Sequence, residues 1–175
     1  MDLAELISAK AFLGDEFLTW LWWRDARHEG AFTLGDGTGI RVHIGEHLEL
    51  ETLTTDGPRG AFRGGSPGEA PEARVALKQG KRVTKARLLI YRGQQEFEAT
   101  VTGRTLDLST IKIPDVLTKV QDEKFYDRIG LVEDLDGMLR DLYGQFVDLR
   151  VSANWAKELK EIQAWVAAGI QGAGS

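Results

Sequence analysis

The chain has 175 residues, no cysteine and a formal net charge of −5. The lack of cysteine excludes thiol nucleophiles, disulfide frameworks and cysteine-ligated zinc, and it fits a reducing compartment. Hydrophobic residues make up 42% and charged residues 28%, as in globular proteins that need no metal or disulfide to fold. The N-terminus lacks the basic region of a secretory signal, and no apolar run reaches the ~20 residues of a membrane span. We therefore expect a cytoplasmic protein without a membrane partner.

The first predicted element is a helix over residues 11–27, in which apolar side chains recur at three- and four-residue steps. Trp22 and Trp23 lie off the face formed by those side chains, so the helix is apolar nearly all round. Such a helix is usually buried on two sides.

Strands are predicted next. Period-two alternation in residues 40–44 and 48–50 indicates two strands, joined as a hairpin at Gly45-Glu46. Residues 55–71 are rich in glycine and proline and predict an internal loop, with a short strand at Ala61–Arg63.

A short helix and a second hairpin follow. Pro71 suits the first position of a helix that runs to Gln79. A turn at Arg92-Gly93 would then pair two strands so that one face is apolar and the other is polar. The apolar pairs are Leu88 with Phe97, Ala86 with Ala99 and Thr84 with Val101; the polar-face pairs are Leu89 with Glu96, Arg87 with Glu98 and Lys85 with Thr100.

The C-terminal part returns to helical spacing. One more strand is predicted over residues 106–113, stopped by Pro114. Apolar residues then recur at three- and four-residue steps from Phe125 to Leu149, and Ser152 suits the N-cap of a last helix. Residues 168–175 predict a flexible tail. Together these elements predict a single α+β domain over residues 1–175, with antiparallel hairpins, a Trp-rich helix, a long amphipathic helix and a C-terminal helix.

Several strings superficially resemble catalytic or metal sites. His43-Ile44-Gly45-Glu46-His47 matches the H-x-x-E-H pattern of one zinc-peptidase class, but that pattern requires a helix and here it lies in the predicted hairpin. The glycines of residues 35–39 lack the lysine of a phosphate loop, and Asp134–Gly137 lacks calcium-ligand spacing. We therefore expect no metal, no cofactor and no enzymatic activity.

Residues 74–92 carry seven basic side chains and no acidic one. The rest of the chain has 15 basic and 27 acidic side chains. The window therefore carries a charge of +7 and the rest of the chain a charge of −12. This segregation is typical of a phosphate-binding surface, although a basic run can also be an ordinary solvated face. The candidate DNA-binding residues are Lys81, Lys85, Arg82, Arg74, Lys78 and Arg87. On one strand, Lys81 and Lys85 would share a face roughly 13 Å apart and contact two phosphates.

The aromatic residues Phe17, Trp20, Trp22 and Trp23 have three possible roles. They could stack on the bases of single-stranded DNA, fill the core, or line a subunit interface. The helix has more apolar surface than one core-facing stripe needs, so we expect these residues at an interface.

Four stretches share a family pattern. They are FLGDEFLTWLWW at 12–23, PEAR with AL and GKRVTKARL over 71–88, LDLSTIKIP at 106–114, and the helical region from Phe125 to Arg150. In their order and spacing over residues 12 to 166, they resemble the C-terminal half of the RdgC family of bacterial recombination-associated proteins.

The resemblance implies a DNA-binding protein without strong sequence preference, whose paired subunits form a ring around DNA and restrain the RecA recombinase by occupying its DNA. It also implies an acidic protein with a positive inner surface. Members of the family are nearly twice this length, and their N-terminal half has no counterpart in this sequence. The chain is then a stand-alone half, one subunit of a split pair, or a phage or mobile-element derivative, and ring closure stays open.

Two hypotheses follow. The first is non-specific binding of single- or double-stranded DNA at the nucleoid, by a homodimer or with a separate partner subunit. The alternative is a protein-interaction module that engages a recombinase, a nuclease or a partner half through the Trp-rich helix and an acidic face.

Overall fold

Helices and an antiparallel sheet are segregated in this chain, whose computed structural model describes residues 3–52, 60–63 and 70–168. The helices are α1 (Leu3–His28), α2 (Pro71–Lys78), α3 (Gln121–Val151) and α4 (Trp155–Ala168). The strands are β1 (Ala31–Thr33), β2 (Gly39–Glu51), β3 (Gly60–Arg63), β4 (Arg82–Arg92), β5 (Gln95–Thr102) and β6 (Leu108–Lys112). The predicted α+β class is confirmed.

The sheet has the order β1-β2-β4-β5-β6, and β3 also pairs with β2. Every strand pair is antiparallel. One face of the sheet is buried under helices and the other carries polar side chains, the usual division for an antiparallel sheet. The buried face consists of Ile40, Val42, Ile44, Leu48, Leu50, Val83, Ala86, Leu88, Ile90, Phe97, Ala99 and Val101.

Helix α1 is buried on two sides, as its composition predicts. It contacts β2 and β4 on one side and α3 and α4 on the other. The ring centroids of Phe17 and Phe146 of α3 are 5.7 Å apart, and Trp22 meets Trp165 of α4 edge-on at 5.2 Å. These contacts place the aromatic side chains of α1 at the centre of the core.

The predicted hairpin at Gly45-Glu46 is wrong, because residues 39–51 form one continuous strand along β4. Ile44 and Leu48 pair with residues of β4 that are only two apart, so β2 accommodates two extra residues in a bulge. A Cβ at Gly45 would lie 3.3 Å from the carbonyl oxygen of Arg87, and glycine allows this approach. Because two residues are inserted, the alternation of buried side chains is the same as in a hairpin.

The hairpin of β4 and β5 is confirmed, but its turn lies one residue later than predicted. Leu88 is opposite Ala99 instead of Phe97, and Arg92 is itself paired. Gly93 begins the turn with φ of +59°, which a two-residue hairpin turn favours at its first position. Every pair is displaced by two residues, so each side chain keeps its predicted face.

The remaining predicted elements are present as β3, α2, β6, α3 and α4. Ser152 is not the N-cap of α4, which begins at Trp155. Its hydroxyl donates to the carbonyl of Leu149 at 2.8 Å and accepts the N–H of Asn154 at 3.2 Å, so it ends α3. Most of the loop predicted at 55–71 and the tail after Ala168 lie outside the described residues. None of the described helices has the length and apolar character to cross a membrane.

Candidate nucleic-acid interface

The seven basic residues of the 74–92 window are spread over α2 and β4. Arg82 and Arg92 lie at opposite ends of β4, and a strand rises about 3.3 Å per residue, so these ends are roughly 30 Å apart. Arg74, Lys78 and Lys81 precede the strand at one end. The window therefore does not form a single positive groove.

Arg74 is half-buried and is held by helix α4. Its guanidinium donates to the carbonyl oxygen of Trp165 at 2.7 Å and lies 4.9 Å from the centroid of that indole ring. Burial lowers the pKa of Arg74, and the nearby charge of Arg27 lowers it further. Arg74 thus joins α2 to α4, and we withdraw it from the candidate DNA contacts.

Arg87 is neutralised by an acidic partner. It donates from Nε to Oε1 of Glu98, the partner that the sequence predicts, and Lys112 lies 2.9 Å from the other oxygen of Glu98. The hydrogen bond from Arg87 is the main cause that lowers the pKa of Glu98. At the far end of β4, Arg92 donates to Asp134 of α3 at 2.5 Å. Arg87 is therefore also withdrawn as a free phosphate contact.

Lys81 and Lys85 do not share a strand face, contrary to the prediction. Strand β4 begins at Arg82. Glu49 and Leu50 of β2 are neighbours, yet they pair with Lys85 and Val83 of β4, so the residue between these two, Thr84, forms a bulge. One extra residue reverses the alternation of side chains. Arg82, and not Lys81, lies on the face of Lys85.

Acidic residues of β2 face these two cations. Lys85 lies 4.0 Å from Glu49, and Arg82 is opposite Glu51 in the strand register. Glu49 also accepts a hydrogen bond from His47 at 2.7 Å. Burial lowers the pKa of Arg82, although neighbouring carboxylates raise it.

Five cations nevertheless gather where α2 ends and β4 begins, a group that we call the basic corner: Lys78, Lys81, Arg82, Lys85 and Arg104. Arg104 is brought there by the turn after β5, since the N–H of Gly103 donates to the carbonyl of Thr84 at 2.8 Å. Within the part of the chain that the structure describes, Lys78, Lys81 and Arg104 have no ion pair. Sequence reasoning missed Arg104 because it lies outside the basic window, although the hairpin register places residue 103 beside the start of β4.

A buried carboxyl lies beneath the basic corner. Asp15 of α1 is 5% exposed, and its Oδ1 has no hydrogen-bond partner among the described residues. Burial raises the pKa of Asp15 to about 6, although the charges of Arg104 and Arg82 lower it. Below this pH the carboxyl is neutral, and the basic corner becomes more positive.

The four aromatic residues predicted at an interface are core residues of this chain. Phe17, Trp20, Trp22 and Trp23 are each no more than 3% exposed. Trp20 also donates from its indole nitrogen to Glu158 at 3.2 Å. Because helices cover α1 on the side that the sheet does not, these side chains offer no surface to bases or to a partner. We therefore withdraw the assignment of these four to an interface.

The histidines of the H-x-x-E-H string have separate carboxylate partners. Nδ1 of His43 lies 2.7 Å from one oxygen of Asp25, whose other oxygen accepts the backbone N–H of Ile44 at 2.9 Å. His47 is bonded to Glu49. No group of three or more metal-ligating side chains comes together in the described ranges. The residues of the string therefore belong to strand β2, and its two histidines form separate hydrogen bonds with Asp25 and Glu49.

Comparison with known proteins does not assign the chain to a family. No family model matches it, and no curated protein matches it significantly. The similarity to RdgC proteins thus stays a prediction that rests on the motifs quoted above.

Proposed function

We propose that this protein binds the phosphate backbone of single- or double-stranded DNA without sequence preference, and that it does so as an oligomer or with a partner subunit. The observation that carries the proposal is a group of three cations, Lys78, Lys81 and Arg104, that have no ion pair within the described ranges and lie beside Arg82 and Lys85. Free cations at one place are what counterion release from DNA requires.

The charge balance of the basic corner supports weak, salt-sensitive binding. Among the described residues, four carboxylates act on its five cations, those of Glu49, Glu51, Asp15 and Glu16. A positive excess therefore remains on a protein whose net charge is −5. Contacts to about three to five phosphates of duplex DNA would give a slope of roughly −2.7 to −4.5 in a plot of log affinity against log salt.

Fluorescence anisotropy with labelled duplex and single-stranded oligonucleotides of unrelated sequence tests the proposal over a series of salt concentrations. The variant Lys78→Glu/Lys81→Glu should bind about tenfold or more weakly, whatever the sequence, with a shallower salt slope. The matched control is Lys157→Glu/Lys160→Glu on α4, since these exposed lysines have the same spacing and no ion pair in the described residues.

The two pairs carry the same change of net charge, so their difference isolates the position of the charge. Loss of binding in the α2–β4 variant alone supports the basic corner. An equal loss in both would show that only net charge matters. A folded parent that binds neither form of DNA at low salt would overturn the proposal.

The place of this binding in the cell is also a proposal. The RdgC-like motifs support a nucleoid-associated protein that modulates RecA-type homologous recombination by occupying DNA. A second candidate function is a protein-interaction module that regulates a recombinase or nuclease, or completes a split subunit. One observation favours it, which is that the first half of α3 presents apolar side chains to solvent.

A further inference from the structure

Exposed apolar side chains are concentrated in one segment. Of the nine large hydrophobic residues that are exposed in the described chain, seven lie between residues 111 and 132. Four of them line one groove and form a surface that we call the α3–β6 patch: Ile111, Phe125, Ile129 and Val132. Single exposed apolar residues are ordinary, but a contiguous group marks an interaction surface.

The patch continues a stripe that is core elsewhere in the same helix. Phe125, Ile129 and Val132 follow steps of four and three residues, and the stripe goes on through Leu139 to Phe146. Phe146 is completely buried, whereas Phe125 is 61% exposed. One stripe is thus covered by this chain at its C-terminal end only. The uncovered N-terminal end of the stripe carries the same types of apolar residue as the buried end.

The stripe borders an open groove between α3 and β6. Ile111 and Ile113 line the groove from the strand side. Arg128 and Glu133 line it from the helix together with the apolar stripe. The groove is apolar in the middle and has one cation and one anion at its rim, as protein interfaces commonly do.

Strand β6 is a poor template for an added strand. The element that binds in the groove is therefore expected to be a helix. β6 is an edge strand of five residues, and its pairing with β5 is irregular between Glu98 and Thr100. Thr110 has φ of +50°, which interrupts the extended backbone in the middle of the strand. Short, bulged edges oppose strand addition.

The charges on the rim match a second copy of the same surface. Arg128 and Glu133 have no ion pair among the described residues. They are five residues apart on α3, about 140° around the helix, and so flank the apolar stripe on either side. In a two-fold contact each surface meets itself, so Arg128 of one copy can face Glu133 of the other, twice.

We propose that the α3–β6 patch is a self-association surface, in which the first half of α3 packs on the same segment of a second copy. This proposal specifies the surface through which the oligomer of the proposed function would form. It replaces the Trp-rich helix as the contact surface. It does not depend on DNA binding, because its test measures molar mass and not affinity for DNA.

The first experiment is light scattering with size-exclusion chromatography over a range of concentrations. The parent should have twice the mass of the chain, and Phe125→Ser/Ile129→Ser should be a monomer with an unchanged helical circular dichroism spectrum. The matched control is Val151→Ser/Leu159→Ser, since among the described residues these are the two exposed large hydrophobic residues outside the segment 111–132. A parent that stays monomeric at high concentration, or a control that loses the dimer equally, overturns the proposal.

The second experiment distinguishes a second copy from a different partner. Arg128→Glu and Glu133→Arg should each weaken self-association, because each places like charges opposite one another. An equimolar mixture of the two variants should restore the dimer mass, since every Glu then faces an Arg. If each variant alone dimerises as the parent does, or if the mixture stays monomeric, the two charges do not meet across a two-fold contact.

Discussion

Helix α1 and the first half of α3 are both rich in large apolar side chains, yet their surroundings differ. The sheet and two helices enclose α1, and Trp22 is 1% exposed. In contrast, Phe125 lies on a segment in which residues 121–129 are all exposed. Apolar composition alone predicts an interface on α1, and this is where the prediction failed. The number of elements that pack around a helix decides whether its apolar side chains are core or surface.

The largest expected effect is on the stability of the two helices after aromatic truncation. Trp22→Ala should lower the free energy of unfolding by about 3–5 kcal/mol, because it leaves a cavity in a closely packed core. In the monomeric chain, Phe125→Ala should change it by less than about 1 kcal/mol, since the side chain is largely exposed there. Urea unfolding of both variants, at a protein concentration where the chain is monomeric, measures the difference. Similar costs would mean that the first half of α3 is packed against its own chain.

The buried carboxyl of α1 should make stability depend on pH. The folded-state pKa of Asp15 is raised from 3.8 to about 6, so the folded protein holds this proton more tightly than the unfolded chain does. Its contribution is present at low pH and is lost as pH rises from about 4 to above 6, by at most about 3 kcal/mol.

Asp15→Asn should therefore unfold at higher urea concentration than the parent at pH 7, and the gain should shrink at pH 4. The exposed Asp127 of α3 provides the control, because Asp127→Asn makes the same chemical change at the surface. If parent and Asp15→Asn lose stability in parallel between these pH values, Asp15 is not the group responsible.

The smallest expected effect is at Gly137 of α3, and Gly14 of α1 provides the contrast. A Cβ on Gly14 would lie 1.5 Å from the carbonyl oxygen of Gly103, so Gly14→Ala should cost about 3 kcal/mol or more through overpacking. A Cβ on Gly137 of α3 has no neighbour within 4 Å. Gly137→Ala should therefore raise stability by up to about 1 kcal/mol, the usual preference for alanine in helices. Thermal unfolding would reveal the opposite signs, and a stabilising Gly14→Ala would contradict this close packing.

Much of the fold follows from local pattern. The helical spacing of residues 11–27 and of the segment from Phe125 onward indicated α1 and α3, and alternation indicated the faces of β4 and β5. The bulge at Gly45 escaped because a hairpin and a two-residue bulge give the same alternation. The position of the turn at Gly93 was predicted one residue too early for a similar reason, since a shift of two residues in the strand pairing leaves every side chain on the same face.

The candidate site was less predictable, because it depends on distant partners. Nothing near Arg74 in the sequence indicates that its guanidinium meets Trp165. Arg104 joins the basic corner only through the pairing of β4 with β5. The bulge at Thr84 moved Lys81 off the face of Lys85, and nothing about the residue type at position 84 predicts a bulge there. Charge counts locate a basic segment, but tertiary contacts decide which charges remain free.

The contact of Asp25 with strand β2 has a consequence for misassembly. Along one edge of β2, β1 pairs with residues 39–41 and β3 with residues 47–50. Between them, the carboxylate of Asp25 accepts the N–H of Ile44. A side chain thus satisfies a donor that would otherwise be available to another chain, and uncapped edges are where cross-β growth begins. The α1 helix thus covers, with a single carboxylate, a backbone donor in the stretch of that edge between the residues paired with β1 and those paired with β3.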